Sequence, residues 1–292
     1  MQDIFNKIAC LQAEPLGKHT TFRIGGPADY FFVPKNIEEI KCIIEYCKSN
    51  SIRHMILGNG SNVLFADKGY NGVIIQIYNN MSEIRVENNM IYAQAGALLS
   101  KIAAVARDNE LTGFEFAAGI PGTLGGAVVM NAGAYGGEMR DVIVSVDILM
   151  NDGMVRTFDC SEMDFGYRHS IVNDEMVVLG ATIKLESGVK EDIQKEMDRL
   201  KEARVSKQPL DYPSAGSTFK RPEGYFAGKL IQDSGLKGYT VGGAMISEKH
   251  SGFVINYCNA TADDVVKLIG DVSDIVEERF GVRLEPEVRI IR

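Results

Sequence analysis

Two stretches of closely spaced glycines constrain the fold of this chain more than any other feature. The first, residues 58–62 (GNGSN), follows a short apolar run at residues 52–57. The second, residues 116–137, holds seven glycines among 22 residues and carries no charge. Because glycine tolerates positive φ and lets other atoms approach the backbone closely, both stretches predict bare main chain packed against another segment or against a ligand.

Residues 58–62 have the composition of an anion-binding turn. Backbone N–H groups that point into one concavity, with short Ser and Asn side chains beside them, suit a pyrophosphate. The stretch lacks the Gly-Lys-Ser/Thr of a P-loop. It also departs from the Rossmann fingerprint, because Val63 stands at the third glycine position and no helix is predicted to follow. An ordinary turn at a strand end is the alternative interpretation.

The second stretch allows a large flat or phosphorylated ligand to approach the main chain, although a buried crossing of two backbone segments would need the same glycines. Two such stretches in one chain favour a dinucleotide cofactor bound along its length. Residues 116–137 could in principle span a bilayer. Their glycine content, Pro121, Asn131 and the absence of a sustained Leu, Ile or Phe run argue against that.

Composition narrows the class of protein. The chain has 292 residues, of which 45% are hydrophobic and 24% charged, as in globular proteins of two or three domains. A net charge of −8 argues against nucleic-acid binding but leaves room for a local basic pocket. The odd number of five cysteines without CxxC spacing and the absence of a secretory signal predict a cytoplasmic protein.

Hydrophobic patterns predict strands and helices without a regular βαβ rhythm, and therefore an α+β fold. Asn36 is predicted to cap a helix with Glu39 in capping-box spacing. A long helix is predicted over residues 261–280, with Asp264 at its third position and Gly281 as its stop. Other helices are predicted over 98–107 and around 193–200, with a domain boundary near 190–208. Strands are predicted over 28–33, 52–57, 73–77, 90–95, 142–150, 154–158, 177–185, 239–246, 253–257, 282–284 and 288–290.

Two further groups of residues carry chemistry. Residues 213–222 contain Ser217, and the nearby Lys220, Arg221 and Lys229 could supply the basic pocket. A turn and a solvated surface are the alternatives. For Arg168 and Glu287, residues of these types in such sequence contexts are more often members of structural ion pairs than functional groups. There is no GxSxG hydrolase motif, and the four scattered histidines without HExxH predict no metal site.

Taken in order along residues 20–291, the motifs resemble those of the UDP-N-acetylenolpyruvoylglucosamine reductase (UDP-N-acetylmuramate dehydrogenase) family, flavoenzymes of bacterial peptidoglycan precursor synthesis. The chain is most similar to the shorter, type II branch. The matching motifs are TFRIGG (21–26), LGNGSN (57–62), the 119–137 stretch with NAGAYG (131–136), GYR (166–168), AGSTFKRP (215–222), AGKLI (227–231) and EVR (287–289).

The resemblance implies a two-part FAD-binding fold of the vanillyl-alcohol-oxidase (PCMH) type followed by a C-terminal α+β substrate-binding domain. The expected division is FAD-binding subdomains at 1–76 and 77–204 and a substrate domain at 205–292. FAD should be noncovalent, because residues 58–62 contain no histidine to bond with the flavin. NADPH is the implied reductant and the enolpyruvyl ether of UDP-N-acetylglucosamine the implied substrate. The protein should be a monomer or a small homo-oligomer.

The resemblance also assigns roles. Hydride from flavin N5 would add to C3 of the enolpyruvyl group, Arg168 would stabilise the enolate with Glu287 beside it, and Ser217 would protonate C2. Turnover would be ping-pong. The implied cofactor-binding residues are Gly58, Asn59, Gly60, Ser61, Asn62, Gly119, Gly122, Thr123, Gly125, Gly126, Asn131, Gly133 and Ala134. The implied substrate-binding residues are Tyr167, Lys220, Arg221 and Lys229.

Two other functions remain open at this point. A carbohydrate or alcohol oxidase of the same superfamily would also bind FAD, but many such oxidases carry the flavin-linking histidine that is missing here. A flavin-binding redox sensor would keep both glycine stretches, yet it would have no use for Ser217, Arg168 and Glu287 together.

Overall fold

The computed structural model describes residues 8–292, which form two compact units. Unit 1 comprises the described residues up to Leu11, together with Tyr30–Asn59 and Gly72–Arg204. Unit 2 comprises Gln12–Asp29, Gly60–Asn71 and Val205–Arg292. Two short N-terminal segments therefore belong with the C-terminal part of the chain. The finer division into 1–76, 77–204 and 205–292 stays a prediction.

Helices and strands alternate irregularly, as an α+β fold requires. The helices in residues 8–292 are α1 (Ile37–Ser49), α2 (Leu99–Asp108), α3 (Leu124–Val129), α4 (Lys190–Lys207), α5 (Ala227–Asp233) and α6 (Ala262–Phe280). The strands in the same residues are β1 (Cys10–Pro15), β2 (Pro27–Phe32), β3 (His54–Leu57), β4 (Val63–Phe65), β5 (Tyr70–Gln76), β6 (Ile84–Glu87), β7 (Met90–Gln94), β8 (Leu111–Thr112), β9 (Gly133–Ala134), β10 (Gly137–Glu138), β11 (Ile143–Leu149), β12 (Val155–Asp159), β13 (Val177–Lys184), β14 (Glu186–Ser187), β15 (Thr240–Val241), β16 (Ala244–Ile246), β17 (Val254–Asn256) and β18 (Arg289–Ile291).

Most predicted elements are confirmed, with four corrections. Residues 282–284 do not form a strand. The strand predicted over 239–246 divides into β15 and β16, and the one over 52–57 begins only at His54. The helix predicted around 193–200 extends to the whole of α4, because its polar, charged flanks are good helix formers that an apolar pattern does not reveal.

Unit 1 has its main core on an antiparallel sheet of order β12-β11-β13-β7-β6. Helices α2 and α3 bury apolar side chains such as Ile102, Leu124 and Val128 in this core. A second sheet has the order β1-β2-β5-β3, with β3 and β5 parallel. Helix α1 packs Ile43 and Cys47 into a smaller cluster with residues of that sheet.

The cap of α1 forms only half of the predicted capping box. The Asn36 side chain accepts a hydrogen bond from Glu39 N at 2.9 Å, as predicted. The Glu39 carboxylate, however, accepts from Lys35 N at 2.7 Å rather than from the Asn36 amide. Asn36 therefore satisfies a helix N–H while Glu39 fixes the preceding residue.

Unit 2 packs α5 and α6 with the antiparallel sheet β15-β16-β17 around a core that includes Val254, Val265 and Leu268. The predicted ends of α6 are confirmed. Thr261 and Asp264 form a complete capping box, and Gly281 adopts φ 67° at the C-terminus. Strands β4 and β18 pair in parallel, which joins the segment after the first glycine stretch to the end of the chain.

The uncharged stretch at residues 116–137 forms the short helix α3 and the β9–β10 hairpin. Among the described residues, no helix combines the length and hydropathy that a membrane crossing requires. All five cysteines lie in the described part of the chain, and all are free.

Replacing Asp264 with Asn should make unfolding less sensitive to acid. Hydrogen bonds from the Thr261 and Gly243 amides hold the pKa of Asp264 below its ordinary value of 3.8. A carboxylate with a lowered folded-state pKa adds stability above its unfolded pKa and loses it as pH falls through the folded value. In urea titrations between about pH 5 and pH 2, the wild-type free energy of unfolding should therefore fall more than that of Asp264→Asn.

The matched control is Asp263→Asn, which changes a carboxylate in the same helical turn that is not part of the capping box. This variant should keep the wild-type dependence on pH. Identical slopes for Asp264→Asn and the wild type would contradict the assignment.

Candidate functional site

The first glycine loop, residues 58–62, leaves β3 and enters β4 without a helix, as predicted. Gly60 adopts φ 62°, and a Cβ there would lie 2.1 Å from His19 O, so only glycine fits. The backbone N–H groups of residues 58–61 donate no hydrogen bond to any residue of 8–292. Four consecutive free donors in a glycine turn are what a diphosphate needs. The loop therefore fits the pyrophosphate of FAD.

The two glycine stretches contact each other within unit 1. Asn59 Nδ2 donates to Pro121 O at 2.8 Å. A Cβ on Gly58 would lie 2.3 Å from Thr123 Oγ1, so the close approach of buried Thr123 depends on glycine at that position. Residues separated by more than sixty positions in sequence are thus held together where both were predicted to bind one cofactor.

Glycines of the second stretch fall into two groups. Gly125 packs against β-sheet backbone, because its N–H donates to Ala95 O at 2.8 Å and a Cβ would lie 3.0 Å from Ala95 Cβ. Gly126 is exposed, and a Cβ there would have only Thr123 Oγ1 within 4 Å, at 3.7 Å. The first position is explained by packing alone. Packing does not require glycine at residue 126, and the exposed main chain there is accessible to a ligand.

Asn131 is fully buried and all of its side-chain polar groups are used by the protein. Its amide donates to Glu138 Oε2 at 3.0 Å and to Gly166 O at 3.1 Å, while its oxygen accepts from Arg140 N at 3.0 Å. This side chain joins the second glycine stretch to the loop that carries Arg168. Its position at the centre of that junction adds a structural role to the cofactor contact predicted for it.

Arg168 lies in a tight turn in unit 1. Gly166 and His169 exchange two backbone hydrogen bonds of 3.1 and 3.2 Å, which forces Arg168 to φ 56°. Its guanidinium carbon lies 5.2 Å from the centre of the exposed Tyr167 ring. A non-glycine residue is strained in the left-handed region, and Arg168 is one of ten non-glycine residues in the described part of the chain with positive φ.

Ser217 and Glu287, seventy residues apart in sequence, lie on neighbouring segments of unit 2. Thr218 connects them: its N–H donates to Gly252 O at 2.8 Å, and its carbonyl accepts from Glu287 N at 2.7 Å. The Thr218 hydroxyl oxygen also accepts from Val254 N at 2.9 Å. Thr218 is buried, whereas the preceding Ser217 is exposed. The buried threonine thus fixes the backbone next to the exposed Ser217.

The first glycine loop reaches the same part of unit 2 through Asn62. Its side chain donates to Glu287 O at 3.2 Å, and its carbonyl accepts from Arg289 N at 3.0 Å. Unit 2 therefore brings together Ser217, Glu287 and the second half of the predicted diphosphate loop. Arg168 belongs to unit 1.

Sequence reasoning missed His250, which supports this arrangement. Its Nδ1 accepts a hydrogen bond from Gly252 N at 3.1 Å, and Gly252 O in turn accepts from Thr218 N. The ring packs edge-on against Phe253 with centres 4.9 Å apart. Burial lowers the pKa of His250, which favours the neutral ring that this acceptor role requires. No local motif in the sequence connects residue 250 with residue 218.

The predicted substrate-binding cations make different contacts. Lys220 Nζ lies 3.2 Å from Glu285, and Lys229 Nζ lies 2.6 Å from Asp233. The Arg221 guanidinium carbon lies 4.0 Å above the exposed Phe226 ring. Ion pairs at a solvated surface are weak, so a phosphate could replace the carboxylate partners. Residues 8–292 contain no cluster of His, Cys, Asp and Glu able to hold a metal ion.

Two family models match the chain. One, described as "FAD binding domain", covers residues 28–159. The other, described as "UDP-N-acetylenolpyruvoylglucosamine reductase, C-terminal domain", covers residues 208–291. The first match contains both glycine stretches, and the second contains Ser217 and Glu287.

Similar proteins carry the same name. The UDP-N-acetylenolpyruvoylglucosamine reductase of Caldanaerobacter subterraneus subsp. tengcongensis is 54% identical over 279 residues, covering 95% of this chain and 92% of that protein. The one of Lachnoclostridium phytofermentans is 53% identical over 283 residues, covering 95% and 91%. A crystal structure of this reductase (MurB) from Thermus caldophilus superposes with a TM-score of 0.84 at 34% identity, covering 98% and 99% of the two chains.

These matches confirm the predicted architecture, an FAD-binding fold of the PCMH type with a C-terminal α+β domain, and they make the chain an oxidoreductase. The four free amides of residues 58–61 agree with the FAD-binding domain on physical grounds. The chain belongs to the UDP-N-acetylenolpyruvoylglucosamine reductase family.

Proposed function

We propose that this protein reduces the enolpyruvyl ether of UDP-N-acetylglucosamine to UDP-N-acetylmuramate, with noncovalent FAD as cofactor and NADPH as hydride donor. The observation that carries the proposal is the pairing of Ser217 with Glu287 through Thr218, in a chain whose other unit holds two contacting glycine stretches. Thr218 holds the segments of Ser217 and Glu287 next to each other, and the first glycine loop contacts the same part of unit 2 through Asn62. The product would enter peptidoglycan precursor synthesis in the cytoplasm.

FAD, held at its diphosphate by the main chain of residues 58–61, would supply the hydride chemistry that reduces C3 of the enolpyruvyl group, with NADPH as the hydride donor. Hydride addition at C3 drives negative charge into the enolate and its carboxylate. Arg168 meets that charge with a guanidinium held in a fixed turn, and fixed donors at developing charge typically contribute about 2.7–4 kcal/mol each. The Asn131 contact to Gly166 keeps this turn in place.

Ser217 donates the proton that completes the reaction at C2. Hydride at C3 and a proton at C2 together saturate the double bond, and the serine regains its proton from solvent. A hydroxyl is a weak acid, so its geometry must be fixed for it to protonate an enolate carbon. The three hydrogen bonds of Thr218 supply that fixation from the adjacent residue. Glu287, joined to the same threonine, lies beside the enolate.

The exposed basic residues Lys220, Arg221 and Lys229, with Tyr167, would hold the UDP phosphates and the carboxylate of the substrate. NADPH and the enolpyruvyl substrate would use the same cleft in turn, so that turnover is ping-pong. A monomer or a small homo-oligomer satisfies all of these requirements, since every proposed residue comes from one chain.

The alternatives explain fewer of the observations. A carbohydrate or alcohol oxidase would have no reason to set an exposed serine on a segment hydrogen-bonded through Thr218 to the backbone of Glu287. A redox sensor would need the glycine loop but not Ser217, Arg168 or Glu287. Support for the reductase also comes from the C-terminal family model, which includes this part of unit 2.

Purified protein should be yellow, and anaerobic NADPH should bleach its flavin absorbance before any substrate is added. Adding the enolpyruvyl substrate should then restore the oxidised spectrum with formation of one UDP-N-acetylmuramate per flavin. Both half-reactions are followed by stopped-flow absorbance. A protein that binds no FAD, or a reduced flavin that reacts with oxygen but not with the enolpyruvyl ether, would contradict the proposal. Reduction only in the presence of substrate would contradict the ping-pong order.

Ser217→Ala should leave flavin reduction by NADPH close to wild type and slow reoxidation by the enolpyruvyl substrate about 10²–10⁴-fold, because only the second half-reaction needs the proton. Rapid-mixing measurements of the two half-reactions separate these effects. Ser161→Ala, a change at an exposed serine of unit 1, is the control and should match wild type in both. Equal losses in both half-reactions would remove Ser217 as the acid.

A further inference from the structure

Arg204, near the end of α4, is a partly buried arginine that has no partner. Its guanidinium forms no hydrogen bond and no ion pair with any residue of 8–292. On the same helix, Arg199 is paired with Glu196. Arg204 has no role in the proposed mechanism and is not among the predicted site residues.

An unpaired charge in a partly buried position is unfavourable. Burial lowers the pKa of Arg204, and Tyr135 opposes this shift only in part. A guanidinium removed from water normally keeps its charge by meeting an anion. The missing counter-ion is the feature that needs an explanation.

The guanidinium of Arg204 packs against the main chain of Gly119. A Cβ on Gly119 would lie 3.1 Å from Arg204 Nη1 and 3.3 Å from its Cδ, so the arginine rests on main chain that carries no side chain. Gly119 itself is exposed, as is the Tyr135 side chain at 48%. The charged end of Arg204 therefore lies next to the second glycine stretch at a surface that a ligand can reach.

We propose that Arg204, lying on Gly119, binds a phosphate group of a nucleotide diphosphate. The planar guanidinium presents paired N–H donors that match two phosphate oxygens. Bare main chain at residue 119 lets the bulky anion approach. The inference rests on the proposed function, because both FAD and the UDP-sugar carry a diphosphate, and either could be the source.

The test is Arg204→Met, which keeps the apolar stem and removes the charge. Apoprotein is titrated with FAD while flavin fluorescence is recorded. UDP-N-acetylglucosamine binding to holoenzyme is followed by the difference spectrum of the flavin. We expect one of the two dissociation constants to rise about 10- to 100-fold, the range for loss of charge-assisted hydrogen bonds. A rise for FAD assigns the cofactor diphosphate, and a rise for the UDP-sugar alone assigns the substrate diphosphate.

Arg199→Met is the control, since it removes an exposed, paired arginine one turn earlier on α4. Both dissociation constants of this variant should stay within about twofold of wild type. Loss of an uncompensated charge should also leave the unfolding midpoint of Arg204→Met apoprotein unchanged or raised. Dissociation constants that both remain at the wild-type value in Arg204→Met would overturn the proposal.

Gly119→Ala is a second test of the proposed phosphate contact, and it leaves Arg204 in place. The added methyl group would push the guanidinium aside by a few tenths of an ångström, and the same ligand should bind more weakly, by a smaller factor than in Arg204→Met. If Arg204→Met does not fold, an unchanged affinity in Gly119→Ala overturns the proposal instead. Failure of the proposed function would look different, because wild-type protein itself would then bind no FAD.

Discussion

The close packing around Gly58 and Gly60 in the first glycine loop is the constraint on which the site depends. Gly58 must lack a side chain for Thr123 to approach, and Gly60 must lack one for the backbone at His19. The backbone N–H groups of residues 58–61 donate no hydrogen bond within residues 8–292. Packing therefore requires glycine at positions 58 and 60, in the loop where we propose that the diphosphate binds. A side chain at either position would disturb both the packing and the proposed diphosphate site.

Thr218 has the corresponding role for Ser217 and Glu287, the residues that we propose as acid and carboxyl. A buried threonine can bond through its N–H, its carbonyl and its hydroxyl at once, and here all three are engaged with different segments. Ser217 and Glu287 consequently depend on one residue that need not touch substrate. His250 extends the support by one step, through the amide of Gly252. Rigid backbone beneath an exposed hydroxyl is what a weak acid needs in order to work as a proton donor.

The features that the sequence predicted correctly depend on contacts between residues close together in the chain. Asn36, Thr261 and Gly281 act on neighbouring residues, so their helix ends were predictable, and the composition of residues 58–62 sufficed to predict the loop. The division of unit 2 among Gln12–Asp29, Gly60–Asn71 and Val205–Arg292 arises from long-range packing that no local pattern encodes. The same is true of the Thr218 contacts. The sequence singled out Asn131 but did not show that it is a buried junction, because its contact with Gly166 joins residues 35 positions apart.

Arg168 and Arg204 each have an unfavourable feature, and we propose that both meet negatively charged ligands. One is held at φ 56°, and strain of that kind typically costs about 1–3 kcal/mol. The other has a partly buried charge without a counter-ion among residues 8–292. A glycine at the first position would remove the backbone strain, and an apolar residue at the second would remove the partly buried charge. The Asn131 contact to Gly166 helps to hold the turn at Arg168, and the phosphate that we propose at Arg204 would supply the counter-ion that residues 8–292 do not provide.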